Sequence, residues 1–290
     1  MIVSMNMESA ALNIINAIYN LVNHPVIDVA THSQGRNRAN AAGDSLEEYV
    51  KNLFADSFNL DETKRSEKTE NVFSWLGNGH NPPDAMLCGG DAIEIKKIES
   101  DNADLALNSS YPKHVLLNSD PMISKACKNA ENWIQKDMIY AVGVVNKRNN
   151  KLKHLCMVYG LDYCADDECY SRIKKTIKDG VESIGDIEFS ETDEIGRINR
   201  VDPLGITNFR IRGMWHIENP WKVFSYIYQR DSSKSFTFMC IINDDKWNTF
   251  DNTSLIVNLN KEGFGIKNVR IKNPDNPAKL MDAKLITFSM

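Results

Sequence analysis

With 290 residues, 42% of them hydrophobic and 25% charged, the chain matches the composition of soluble globular proteins and has room for one large domain or two smaller ones. No apolar run approaches the roughly 20 residues that cross a bilayer, and no basic segment with a long apolar run opens the chain, so a cytoplasmic protein with no membrane partner is expected. A net charge of −5 excludes a uniformly basic nucleic-acid binder, but it leaves room for a local basic surface.

In chain order, Leu12, Ile15, Ile18, Tyr19 and Val22 recur at helical spacing and predict an amphipathic helix from about Glu8 to Val22. Met5 and Met7 leave the start codon open. A polar stretch from His32 to Asn40 reads as loop, and a second helix starts near Asp44 or Ser45 and carries Glu47, Val50, Leu53 and Phe54. Asp61 to Glu70 is a solvated helix or loop. Pro82-Pro83 stops any helix and leads into a hairpin, and a loop with Leu107-Asn108-Ser109-Ser110 follows. Pro121 to Gln135 fits an amphipathic helix, Met138–Val145 and Leu152–Tyr159 read as strands, and Asp166 to Asp179 as a helix ending at Gly180. Strands are then expected at Ile206–Met214, Ser235–Ile242, Ser254–Leu259, Lys267–Ile271 and Lys284–Phe288. The pattern is α/β, with a catalytic half over residues 1–185 and a β-rich region over 186–290, or one continuous domain. Of the six cysteines, Cys156, Cys164 and Cys169 lie near His154, but their spacing fits no zinc finger, so reduced thiols are expected.

Chemistry concentrates in Pro83-Asp84-Ala85-Met86-Leu87-Cys88-Gly89-Gly90-Asp91-Ala92-Ile93-Glu94-Ile95-Lys96. Alternation on a strand puts Glu94 and Lys96 on one face and Ile93 and Ile95 on the other, and a Gly-Gly turn folds Asp84 alongside. Two carboxylates are hard oxygen ligands suited to Mg²⁺, and a neighbouring lysine can orient or activate water, which is equipment for phosphodiester hydrolysis. The same letters also decorate solvated hairpin edges. Glu47 lies at the border of its helix's apolar stripe, where it can reach over a sheet edge or serve as a flanking charge.

Arg197, Arg200, Arg210 and Arg212 form a basic cluster, with Arg210 and Arg212 on one face of their strand. Such a pair can bond phosphates or the O6/N7 edge of guanine, or it can pair with Asp193, Glu194 and Asp202 at the surface. Arg36 and Arg38 make a smaller basic cluster, and Asn108, Ser109, Ser110 and Lys113 are loop groups able to contact DNA or simply water. Trp215 and Trp221 fit core roles better than base stacking.

Pro83-Asp84 with Glu94-Ile95-Lys96 resembles the PD-(D/E)xK nuclease signature. More widely, the chain resembles the NgoPII family of type II restriction endonucleases, over stretches such as Asn37-Arg38-Ala39-Asn40, Gly43 to Val50, Asn81 to Leu87, Gly89 to Glu99, Leu107 to Ser110, Val201 to Thr207 and Arg210 to Trp215. The likeness weakens beyond about Arg230. It implies a restriction-endonuclease-like core, a mixed sheet flanked by helices, and a Mg²⁺-dependent double-strand cut, at GGCC, leaving 5′-phosphates. By the same resemblance Asp84 and Glu94 hold the metal, with the Ile95 carbonyl and Glu47 as further ligands, and Lys96 positions or helps deprotonate water. A homodimer suited to a palindrome and a cognate DNA methyltransferase, as functional partner, are also implied. A repair or junction-resolving nuclease and an inactive DNA-binding relative are the alternatives.

Overall fold

The structure is a computed structural model that describes residues 12–25, 38–77, 81–108, 110–146, 148–149, 151–192 and 194–290, with the side chains of 38–44 outside that description. The opening helix α1 (Ile14–Asn23) starts at a capping box, in which the Asn13 side chain accepts from the Ile15 N–H and the Asn16 side chain accepts from the Asn13 N–H. Its buried Ile14, Ile15, Ile18, Leu21 and Val22 pack with Leu46, Val50, Leu53 and Phe54 of α2 (Arg38–Ala55), the stripe that their spacing predicts. Helix α3 (Glu62–Val72) is capped by Asp61, which accepts from the Lys64 N–H at 3.0 Å.

Three strands follow, β1 (Phe73–Leu76), β2 (Ala85–Leu87) and β3 (Ala92–Ile98), then the short β4 (Leu105–Ala106) and β5 (Val115–Leu117) and the one-turn α4 (Lys125–Lys128). Two long strands, β6 (Gln135–Val145) and β7 (Leu152–Tyr159), lead to α5 (Gly160–Tyr163) and α6 (Asp167–Glu182). Next come β8 (Glu188–Ser190), β9 (Gly196–Asn199), β10 (Phe209–Ile211), β11 (His216–Ile217), α7 (Pro220–Val223), β12 (Thr237–Asn243), α8 (Asp244–Trp247), α9 (Ser254–Val257), β13 (Phe264–Lys272) and β14 (Leu280–Ser289).

One mixed sheet runs β1-β2-β3-β6-β7-β12-β14-β13, with β5 added beside β6. The pairs β3/β6 and β7/β12 are parallel and the others antiparallel. Alternation divides β6 between two cores: Ile139 and Ala141 face the α1/α2 layer, while Met138, Tyr140 and Val142 pack on the other side with Trp221 and Phe224. Helix α2 can sit close because β6 has Gly143 beneath it, where an added Cβ would lie 2.6 Å from the Leu46 side chain. The α/β expectation is met: a large mixed sheet flanked by helices.

Several elements depart from the sequence expectations. Helix α2 begins at Arg38, ahead of Asp44, because Ala39, Ala41 and Ala42 favour helix strongly enough to carry Gly43. Pro121 to Gln135 gives only the single turn of α4, since Gln135 and Lys136 are drawn into the ladder with β5. Helix α6 runs through Gly180 to Glu182. The strand expected at Ile206–Met214 shortens to Phe209–Ile211, and Ser254 to Val257 coils as α9 with only Ile256 buried. A short apolar run does not separate strand from helix by itself. Cysteines are free, the His154 ring meets Thr237 Oγ1 at 3.0 Å, and among the described residues no three His, Cys, Asp or Glu side chains form a metal-binding group. Trp221 is buried, as its core role requires.

Candidate active site

Strands β2 and β3 form the expected hairpin, with Ala85 opposite Ile93 and Met86 opposite Ala92. The Gly90 N–H donates to Leu87 O at 3.0 Å, which puts Gly89, at φ +62°, in the turn position that needs a left-handed backbone. Lys136, a buried side chain from β6, caps the same turn by donating to Leu87 O at 3.1 Å and Gly90 O at 2.6 Å. The turn thus has its carbonyls satisfied from beneath.

Asp84 stands just before β2, after the cis Pro82–Pro83 bond, and its carbonyl accepts from the Gly77 N–H at 2.7 Å. Its carboxylate crosses to β3, where Oδ2 accepts from the Ile95 N–H at 2.6 Å. That bond places Asp84 between the side chains flanking Ile95, namely Glu94 and Lys96. Glu94 Oε1 lies 2.6 Å from Lys96 Nζ, while Glu94 Oε2 is buried with no hydrogen-bond partner among the described residues. Ile93 and Ile95 sit in the core on the opposite face, as alternation requires.

Burial first, then the Glu94 carboxylate, raises the Asp84 pKa from 3.8 to about 6, against the pull of Lys96, the Ile95 amide and Lys51. For Lys96, burial works to remove the proton, but Glu94, Asp84 and Glu47 outweigh it and its pKa is raised. Two carboxylates crowded in a buried site, one with an orphaned oxygen, are only partly neutralised by Lys96. A divalent cation fits that donor set. Glu47 is near enough to act electrostatically on Lys96, but its Oε1 is 2.5 Å from Lys51 Nζ, so it stands outside the Asp84–Glu94 pair. The Glu47–Lys51 spacing is an i,i+4 pair visible in sequence, and Lys51 is a neighbour that the sequence reading missed.

Asp84, Glu94 and Lys96 line a cleft of about 240 Å³ together with Asn108, Ser110, Glu194 and Arg212. The Asn108 loop, with Asn108 at φ +50°, is tied to the segment after Arg212: Leu107 N–H donates to Trp215 O and Trp215 N–H to Asn108 O, each at 2.9 Å. Strands β4 and β11 extend that pairing, with Ala106 opposite His216.

Arg212 and Arg210 both reach Glu194, a carboxylate only 7% exposed: Arg212 Nε donates to Oε1 at 2.8 Å and Arg210 Nε to Oε2 at 3.2 Å. Arg197 lies directly opposite Arg210 in the β9/β10 ladder, so the two share a face. Arg200 is farther out, at φ +49°, paired with Glu188 at 2.8 Å. Glu194 is the residue that sequence reasoning passed over, treated there only as one of three neutralising acids. Lys113 departs from the reading as an open loop group: it is 4% exposed, and its Nζ lies 2.5 Å from Asp120 and 3.6 Å from the Tyr111 ring centre. Arg36 and Ser109 lie outside the described residues, as does the Arg38 side chain.

The NgoPII restriction endonuclease family model matches residues 12–272, well past Arg230, where the resemblance was expected to fade. The type II restriction enzyme NgoPII of Neisseria gonorrhoeae is 61% identical over 279 residues, 96% of this chain and 100% of that protein. No solved structure matches. No helix among the described residues is long and apolar enough to cross a membrane. The chain belongs to the NgoPII restriction endonuclease family and is a type II site-specific deoxyribonuclease.

Proposed function

We propose that the enzyme makes a Mg²⁺-dependent double-strand cut at a short palindrome, GGCC, and leaves 5′-phosphates. The observation that carries this reading is the single cleft in which Asp84, Glu94 and Lys96 meet Arg212, Asn108 and Ser110. Asp84 and Glu94 are the residues to hold the metal, with the Ile95 carbonyl and Glu47, directly or through water, as further ligands. When bound, the ion supplies positive charge against the scissile phosphate and its leaving 3′ oxygen.

The protein's own groups do the rest. Lys96, kept protonated by its acidic neighbours, offers N–H donors that hold a water oxygen beside the phosphate. Attack forms the new bond from water oxygen to phosphorus and breaks the bond from phosphorus to the 3′ oxygen, the water giving up one proton to solvent and the leaving 3′ oxygen taking one from it. The products are a 3′-hydroxyl and a 5′-phosphate. Arg212, Asn108 and Ser110 contact the duplex from the cleft, Arg197, Arg200 and Arg210 from the small β8–β10 sheet and the turn after β9, and Arg36, Arg38 and Ser109 complete the set. Lys113, buried, is left out of it. A palindromic target favours a homodimer with one site per strand, working in the cytoplasm beside a methyltransferase that protects host DNA.

A digest of sequenced plasmid DNA with Mg²⁺, followed by run-off sequencing of the ends, tests the whole reading. Breaks should map to every GGCC, and the ends should ligate without prior kinase treatment. Products that depend on DNA structure, an exonuclease smear or a different mapped sequence would each sink it.

A further inference from the structure

We infer that Glu194 is a positioning residue for recognition: one buried carboxylate that fixes two arginines relative to each other and to the cutting groups. This rests on the reading that Arg210 and Arg212 contact DNA. The arrangement is lopsided in a telling way. Glu194 is 7% exposed, while the side chains of Arg210 and Arg212 are 59% and 61% exposed. An ordinary surface ion pair has both partners in water and contributes little. Here the anchor is buried and the heads stand out.

The two carboxylate oxygens meet different arginines. Oε1 accepts from Arg212 Nε, and Oε2 from Arg210 Nε, with Arg210 Nη2 at 3.1 Å. Glu194 therefore holds Arg212 through its Nε. Glu194 brings one negative charge to the two guanidinium groups that it holds, both of which stay largely exposed to a polyanion. A free arginine loses considerable rotamer entropy when it docks on a base, and holding the stem beforehand removes part of that cost. Because Glu194 and Arg212 line the same cleft as Asp84, Glu94 and Lys96, the clamp also sets where the arginines stand relative to the scissile phosphate.

Glu194→Gln is the decisive variant. Its volume is unchanged, but the amide nitrogen is a donor and cannot accept from a second guanidinium, so one of the two contacts is lost. The readout is kcat/KM on a synthetic duplex bearing the mapped site and on duplexes with one base pair changed. Glu194→Gln should lower the ratio between them roughly ten-fold or more, with the melting temperature and the salt slope of Ca²⁺-supported binding kept. Its effect should also fail to add to that of Arg212→Ala. Glu194→Asp keeps the charge but shortens the reach, and should lose discrimination too.

An unchanged ratio in Glu194→Gln overturns the inference, as does loss in Glu194→Gln with full discrimination in Glu194→Asp, which would mean charge and not placement. Arg210→Ala and Arg212→Ala separate the two levels. If both leave the ratio unchanged, the reading that these arginines recognise bases has failed; if they lower it while Glu194→Gln does not, only the positioning role has.

Discussion

The β2/β3 hairpin and the β8–β10 arm are both small antiparallel units, yet they are held in opposite ways. The hairpin lies inside the nine-stranded sheet, with β6 paired along β3, core isoleucines behind it and Lys136 under its turn. The arm is a separate three-stranded sheet whose middle strand spans Gly196–Asn199 and whose exposed charges are fixed by ion pairs to Glu194 and Glu188. On the proposed reading the hairpin carries the chemistry on phosphorus, which tolerates little misplacement, and its groups gain from sitting within the large sheet. Recognition, on the same reading, belongs to the three-stranded unit, whose arginine side chains are exposed enough to meet a groove.

The largest way to test that contrast is Asp84→Ala. On the proposed reading, cleavage should fall by on the order of 10³-fold or more, while site-specific binding in Ca²⁺ persists, because the arm is untouched. Cutting at the wild-type rate in a plasmid assay would remove Asp84 from the site.

A smaller effect sharpens the idea that the hairpin is strained by its own charges. Asp84 has a folded pKa of about 6 against 3.8 for a free aspartate carboxyl, so the folded protein holds this proton more tightly than the unfolded chain. Its contribution to stability is complete below the unfolded value and is lost as pH rises through about 6, at a cost on the order of 2–3 kcal/mol. In metal-free buffer, Asp84→Asn should melt above wild type at pH 8, and the gap should close toward pH 4. A gap independent of pH would show that burial of the carboxylate is not the cause.

The smallest expected effect probes the far end of the arm. Arg200→Ala should weaken binding to all DNA sequences alike and reduce the salt slope by about one, with the melting temperature unchanged. Sequence-dependent loss, read from binding curves on site and non-site duplexes, would make Arg200 a base contact instead.

The hairpin was legible because everything that defines it is local: alternating isoleucines, a turn glycine and a proline pair within sixteen residues of chain. The α1/α2 stripe was legible for the same reason. Glu194 was not, since in sequence it has the same standing as Asp193 and Asp202, and only tertiary packing buries it between two guanidinium groups. Lys113 misled because a polar loop does not declare which of its side chains turns inward to an acid such as Asp120. The segment from Pro121 to Gln135 misled because its last residues satisfy a strand ladder formed with a distant partner. Long-range pairing overrode local period there.

The backbone bonds between Leu107–Asn108 and Trp215 make the polar loop and the base of the arginine arm one mechanical piece. On the proposed reading, whatever shifts Arg212 along the duplex carries Asn108 and Ser110 with it. For a nuclease of this design, moving to a new target is therefore not a matter of exchanging single contacts: an altered arginine displaces its neighbours' aim as well. Specificity drifts in coupled steps, and intermediate variants should lose discrimination before they acquire a different one.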